Sequence, residues 1–314
     1  MNRRDLLRTS ATLGLAIVAP LAAAEHASMN ATSDRAPAGE VGGSSSPKAL
    51  QPPAKGRIPV AFLLSDEAVI IDFCGPWEVF ENVTLPGQSD SPFQLYTVAE
   101  TTRTVRASGG MKIVPDYTIA TAPAPKIIVI PAQSDPNQPV IDWIRSSTRS
   151  TDVTMSVCTG AFVLAKTGLL SGRTATTHHQ SYLELAMQYP DIRVKRGARF
   201  VEDGNLASAG GLSSGIDLSL RVVERYYGRA VALQTADWME YQGKGWLNPD
   251  SNQIYSKRPV STAEHPLCPI CDMEVDPKVA PKSTYLGKIY YFCQPGHKHL
   301  FDSMPGKVTA ELMS

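Results

Sequence analysis

An α/β fold, with a parallel sheet covered by helices on both faces and a small metal-binding module behind it, is what this 314-residue sequence predicts. Three observations predict it. From Arg57 onward, short apolar runs alternate with amphipathic stretches, the sequence pattern of buried strands and the helices that cover them. One run, Thr154-Met155-Ser156-Val157, ends in Cys158 and passes through Thr159-Gly160-Ala161 into an apolar helical pattern. Near the carboxyl end, cysteines and a histidine recur at metal-ligand spacing.

The elements follow in order. Residues 58–64 read as the first buried strand. Gly75-Pro76-Trp77-Glu78-Val79-Phe80 opens the first helix, with proline in the first turn, where its missing N–H costs nothing. Residues 93–98 and 126–130 are further strands, 140–147 a short helix, and 153–157 the strand that delivers Cys158. Residues 193–207 read as a hairpin turning at Asp203-Gly204-Asn205, and 215–227 and 230–241 as closing helices.

A strand turning tightly into a helix is a nucleophile elbow, and it holds a side chain out at the carboxyl edge of the sheet, where reactive groups of such folds gather. The helix start, with unpaired N–H groups and a positive dipole end, favours a thiolate at Cys158. Gly160 permits close approach of backbone or substrate. A buried structural cysteine fits the same local pattern. Asp72, in Val69-Ile70-Ile71-Asp72-Phe73-Cys74-Gly75-Pro76, lies between an apolar run and the expected helix start. It is either an N-cap or a general acid or base beside the thiol, with a pKa raised by burial. Phe73 and Cys74 are expected to pack rather than react.

Three segments, Asp72-Phe73-Cys74-Gly75-Pro76-Trp77-Glu78-Val79-Phe80, Ser156-Val157-Cys158-Thr159-Gly160-Ala161-Phe162 and residues 168–178, resemble the ThiJ/PfpI family. Asp203-Gly204-Asn205-Leu206 and Ser213-Ser214-Gly215-Ile216-Asp217 extend the resemblance over residues 57–241, in the branch that holds isocyanide hydratase and the sensor domains of AraC-type regulators. It implies a flavodoxin-like three-layer α/β sandwich, commonly a homodimer, with no cofactor in this domain. It places Cys158 as nucleophile, Asp72 as the acid of isocyanide hydration, and Thr159 after the nucleophile with hydroxyl and N–H toward a bound small molecule. The chemistry implied is hydratase-like or related lyase or hydrolase chemistry; a branch with glutamate beside its cysteine does glyoxalase-like and deglycase-like chemistry instead. Two departures stand out. The family's Pro-Gly-Gly before the nucleophile strand is Pro131-Ala132-Gln133-Ser134 here, so Ala132 or Gln133 would offer an N–H, or Gln133 its amide, to the pocket. His179 stands where the branch has tryptophan. His178 and His179 are expected in the pocket wall or a turn, with a Cys–His arrangement as the alternative. A non-enzymatic small-molecule, metal or redox binding or sensor protein remains the second reading.

The ends speak of compartment and partners. Arg3-Arg4-Asp5-Leu6-Leu7, an apolar run from Ala11 to Leu21 and Ala22-Ala23-Ala24 read residues 1–24 as a signal peptide of twin-arginine type, with a Sec signal or a retained anchor as the alternative. Export, to the periplasm or otherwise out of the cytoplasm, without stable membrane insertion after cleavage, is the expectation. Residues 25–56, rich in Ala, Ser, Gly and Pro, read as a disordered tether. Lys plus Arg and Asp plus Glu number 30 each, so no basic surface points to nucleic acid. After a linker at 242–263 comes a module at 264–314. Its Cys268-Pro269-Ile270-Cys271 and Cys293-Gln294-Pro295-Gly296-His297 give three thiolates and an imidazole, a set for a tetrahedral soft metal, zinc or copper(I). A Cys268–Cys271 or Cys271–Cys293 disulfide is the alternative. Residues 266–307 resemble the YHS domain, with His297 in place of the usual fourth cysteine, and His265 and His299 are expected outside the ligand set.

Overall fold

The computed structural model describes residues 49–313. The signal peptide and residues 25–48 of the tether lie outside the described residues. Apolar residues on successive strands divide between two cores, one on each face of a single sheet. Strand β1 (Ile58–Leu63) shows the division: Ile58, Val60 and Phe62 enter one core, Ala61 and Leu63 the other.

The chain continues through α1 (Ile70–Glu81), β2 (Phe93–Ala99), a β3–β4 hairpin (Val105–Arg106 with Lys112–Ile113), β5 (Tyr117–Thr118), β6 (Ile127–Ile130) and α2 (Gln138–Thr148). It then runs through β7 (Val153–Val157), α3 (Gly160–Lys166), β8 (Thr174–Ala175), α4 (Tyr182–Gln188), β9 (Arg193–Val194), β10 (Phe200–Asp203), β11 (Leu206–Ala209), α5 (Ser214–Tyr227) and α6 (Arg229–Trp238). The sheet has seven strands in the order β10-β11-β7-β6-β1-β2-β5. Its pairings are parallel except β10 with β11. Residues of α1, α5 and α6 fill the first core and residues of α2, α3 and α4 the second, so the fold is the three-layer α/β sandwich expected.

Two local expectations give way. Helix α1 begins at Ile70 behind Val69, not at Gly75, and Pro76 lies inside it. Tertiary partners allow the early start: Val69 N–H donates to the Ala132 carbonyl and Ile70 N–H to the Ser108 hydroxyl. The hairpin is confined to β10 and β11, with its turn at Gly204-Asn205, whereas Arg193–Val194 leaves to pair in parallel with β8.

The segments expected as tether and linker are fastened where described. Leu50 N–H donates to the Arg225 carbonyl. Within 242–263, buried Trp246 donates its backbone N–H to the carboxylate of buried Asp217, 2.8 Å away. Arg199 and the Tyr241 hydroxyl bind the same carboxylate at 2.6 and 2.9 Å, so its burial is compensated.

The carboxyl-terminal part holds an antiparallel hairpin, β12 (Lys282–Tyr285) with β13 (Lys288–Tyr291), then α7 (Pro295–Ser303) and α8 (Pro305–Met313). Its core of Ile270, Val275, Phe292, Phe301 and Val308 includes Leu183 and Met187 from α4. Among the described residues, no helix is long and apolar enough to cross a membrane.

Candidate active site and metal cluster

Strand β7 ends at Cys158, whose φ of 57° lies in the left-handed region, a conformation costing a non-glycine residue about 1–3 kcal/mol. The surroundings enforce it. Cys158 N–H is shared by the carbonyls of Ala209 and Gly210 at 3.2 and 2.9 Å, and the Thr177 hydroxyl donates to the Cys158 carbonyl at 2.9 Å. Glycine is required at 160, since a Cβ there would lie 2.2 Å from the Ile130 carbonyl oxygen. The turn is thus pressed against the end of β6.

The thiol is buried, and the N–H of Leu212 and both the N–H and hydroxyl of Thr159 hydrogen-bond to it. Asp72 reaches it from the first turn of α1. Val69 occupies the N-cap, so Asp72 is not the cap that its position allowed. Its carboxyl has no solvent exposure; Oδ2 accepts from Ala132 N–H at 3.1 Å and Oδ1 has no partner. Burial raises its pKa from 3.8 to about 7, against the Ala132 N–H and a hydrogen bond from the Cys158 thiol. The thiol moves up as well. Burial first, then the charge of Asp72, push it from 9.0 to about 11, despite the donors from Leu212 and Thr159. Desolvation and a neighbouring carboxylate thus work against the thiolate that the start of this seven-residue helix favours. Both groups are thus held toward their protonated forms, and the pair can exchange a proton near neutral pH.

The residues before the elbow are used differently from the expectation. Ala132 spends its N–H on Asp72, and Gln133 Oε1 accepts from Ser65 N–H at 2.6 Å. Gln133 also lines a cavity of about 380 Å³ together with Thr159, Phe162, Lys166, Glu184 and Tyr189. His178 lies against Gly211, where a Cβ would come within 2.5 Å of its ring, and its Nδ1 accepts from Gln180 N–H. His179 stacks on Tyr255 with ring centroids 4.4 Å apart. Burial lowers both imidazole pKa values. Among the described residues no hydrogen bond joins either histidine to Cys158; His178 caps the short turn at 179–181, and neither lines the cavity at Thr159. Sequence reasoning missed the Leu212 N–H and the Ala132 N–H on Asp72. Gly210-Gly211 at the end of β11 was the one signal for the former. Phe73 and Cys74 pack with the first core, as expected.

A second cluster lies in the carboxyl-terminal part. One donor atom from each of Cys268, Cys271, Cys293 and His297 falls within 4.8 Å of the others. His297 Nδ1 lies 3.5 Å from Cys268 Sγ and 3.2 Å from Cys293 Sγ, and Cys271 Sγ is 3.4 Å from Cys293 Sγ. Tetrahedral zinc with sulfur and nitrogen ligands needs donor separations of about 3.5–3.8 Å, so modest expansion admits a metal ion such as zinc. All five described cysteines are free thiols. Hydrogen bonding from Cys271 lowers the Cys268 pKa and raises that of Cys271. Burial opposes charge on His297, yet contacts with Cys268, Glu184 and Cys293 raise it to about 10. A metal ion bound here would displace these protons, since it takes thiolates and a neutral imidazole. His265, exposed and 2.7 Å from Glu274, and exposed His299 stand outside the set.

The sequence profile of the DJ-1/PfpI family matches residues 59–225. The chain belongs to the DJ-1/PfpI family. Isonitrile hydratase of Pseudomonas putida is 32% identical over 187 residues, covering 58% of this chain and 78% of that protein. The HTH-type transcriptional regulator CdhR of Pseudomonas aeruginosa is 29% identical over 137 residues, 42% of this chain and 40% of the regulator. The crystal structure of a ThiJ/PfpI family protein from Pseudomonas syringae, 24% identical, superposes with a TM-score of 0.54 over 60% of this chain and 77% of that one. That likeness concerns the fold.

The Asp72 pKa carries a testable consequence for this DJ-1/PfpI domain. Native Asp72 keeps its proton to about pH 7, whereas the unfolded carboxyl loses it near 3.8. Its stabilising contribution is therefore complete below 3.8 and lost as pH rises through 7, amounting to roughly 4 kcal/mol at most. Asp72→Asn keeps the shape without the ionisation. Urea unfolding should show the variant gaining on the wild type by a few kcal/mol between about pH 4 and 8; parallel pH profiles would contradict a raised Asp72.

Proposed function

We propose that the DJ-1/PfpI domain is an enzyme of hydratase type that adds water to a small neutral molecule, with an isonitrile as the substrate class favoured by its relative. The single observation that carries this is the buried Cys158–Asp72 pair, with one carboxyl oxygen unpartnered. A protonated thiol beside a carboxyl titrating near 7 suits a reaction in which proton transfer accompanies attack. The thiol proton passes to Asp72 as sulfur bonds to the terminal isonitrile carbon. Asp72 returns the proton to the electron pair on that carbon, leaving an N-substituted thioformimidate on Cys158. Water then adds to the carbon, a proton reaches nitrogen, and the carbon–sulfur bond breaks to release the formamide and the thiol. The sum is isonitrile plus water to formamide. No oxyanion forms in the first step, which suits a site whose Ala132 N–H is already committed to Asp72. Thr159 and Leu212 hold the sulfur in place.

The experiment is incubation of the mature protein with an aryl isocyanide, following formamide by chromatography. Wild type should turn over, while Cys158→Ala and Asp72→Asn should each lose about a hundredfold or more. Absence of formamide, or equal formation by Cys158→Ala, overturns the assignment.

A second reading rests on the cysteine–histidine cluster: a binding or sensor protein in which a YHS-like module holds zinc or copper(I). Four protein ligands leave no open position, so a metal bound there would supply structure rather than activated water. Elemental analysis should find one metal per chain, lost in Cys268→Ser; a metal-free wild type removes this reading, and turnover that survives the loss separates the enzyme from it. Twin-arginine export and a homodimeric assembly belong to the same proposal, on the sequence features alone.

A further inference from the structure

Glu184 lies on α4, in the family domain, yet its carboxylate turns to the cysteine–histidine cluster. His297 presents Nδ1 to Cys268 and Cys293, and Nε2 faces Glu184 Oε2 at 3.5 Å. The side chains of His297 and Glu184 are 7% and 26% exposed, so water competes weakly for this contact. The other carboxylate oxygen, Oε1, accepts from the Gln188 amide at 3.0 Å, which orients the carboxylate along the helix. Leu183 and Met187, on either side in sequence, share a core with Cys268, Ile270 and Phe301, so α4 cannot swing away without opening that core. A histidine that ligates through one nitrogen needs its other nitrogen tied down to fix tautomer and ring orientation, and a carboxylate is the strongest such tie.

We propose that Glu184 is a positioning residue for the metal site: it accepts from Nε2–H of His297, fixes the tautomer that leaves the Nδ1 lone pair free, and so completes the outer sphere from the DJ-1/PfpI domain. The proposal rests on the reading of Cys268, Cys271, Cys293 and His297 as a metal site. It gives the two parts of the chain a shared residue, because Glu184 also lines the cavity that reaches Thr159 at the elbow. A metal ion bound by the module therefore fixes one wall of that cavity.

The test uses the full mature protein, zinc(II) in competition with a chromogenic chelator, and cobalt(II) as the spectroscopic probe. Glu184→Ala should weaken zinc about 10- to 100-fold, with Glu184→Gln, which keeps an acceptor without the charge, falling between it and wild type. Both should shift the ligand-field bands of the cobalt form while retaining four ligands. Lys298→Ala, which removes a surface ion pair on the helix that carries His297, should stay within about threefold of wild type. Zinc affinity and cobalt spectra unchanged in both Glu184 variants, in a protein that binds zinc, would overturn the positioning role alone. A wild type that takes up no zinc would overturn the metal reading, and this proposal with it.

Discussion

A carboxyl with no access to water lies against the thiol of Cys158, and much of the surrounding structure serves to keep it there. Burial makes charge on either group expensive, and the charge of Asp72 further opposes ionisation of the thiol, whereas the thiol's hydrogen bond eases that of Asp72. The sheet supplies the placement. Strand β7 brings the thiol to its carboxyl edge, α1 carries Asp72 across the same edge in its first turn, and the Ala132 N–H after β6 fixes one carboxyl oxygen. The left-handed backbone at Cys158 is tolerated because its N–H, its carbonyl and the neighbouring Gly160 are all committed to strand ends.

Much of this was readable in the residues. Val153–Val157 was a strand by its apolar run, and the small residues after Cys158 announced the turn, because only glycine fits beside the Ile130 carbonyl. The ligands of the cluster stood out by spacing, since backbone geometry places cysteines three positions apart around one centre. What was not readable depended on distant partners. The Gly75-Pro76 pair looked like a helix opening, whereas carbonyl and hydroxyl acceptors at Ala132 and Ser108 let α1 start five residues earlier. The thiol's upward shift could not be seen from a helix start alone, because desolvation and Asp72 set its sign. Trp246 on Asp217, Leu212 on the Cys158 sulfur and Glu184 on His297 are pairings between residues far apart in sequence that no local pattern announces.

The same constraint separates the two chemistries of the chain. Near Cys158 the environment resists charge, which favours a neutral substrate and concerted proton movement. Around Cys268 three thiols and an imidazole converge, a donor set that suits a soft cation. Helix α4 stands between them, with Leu183 and Met187 in the core of the module and Glu184 on the rim of the elbow cavity.

The protonation state of the thiol tests the account most directly. Alkylation of Cys158 by iodoacetamide, read by mass spectrometry of its peptide across a pH series, reports the thiolate fraction. The structure predicts a rate that keeps climbing from about pH 7 to 10 without a plateau in the wild type, and a midpoint displaced downward in Asp72→Asn, where the repelling charge is gone. A rate already at its plateau by about pH 7 would show a preformed thiolate, and would contradict the protonated thiol on which the proposed mechanism depends.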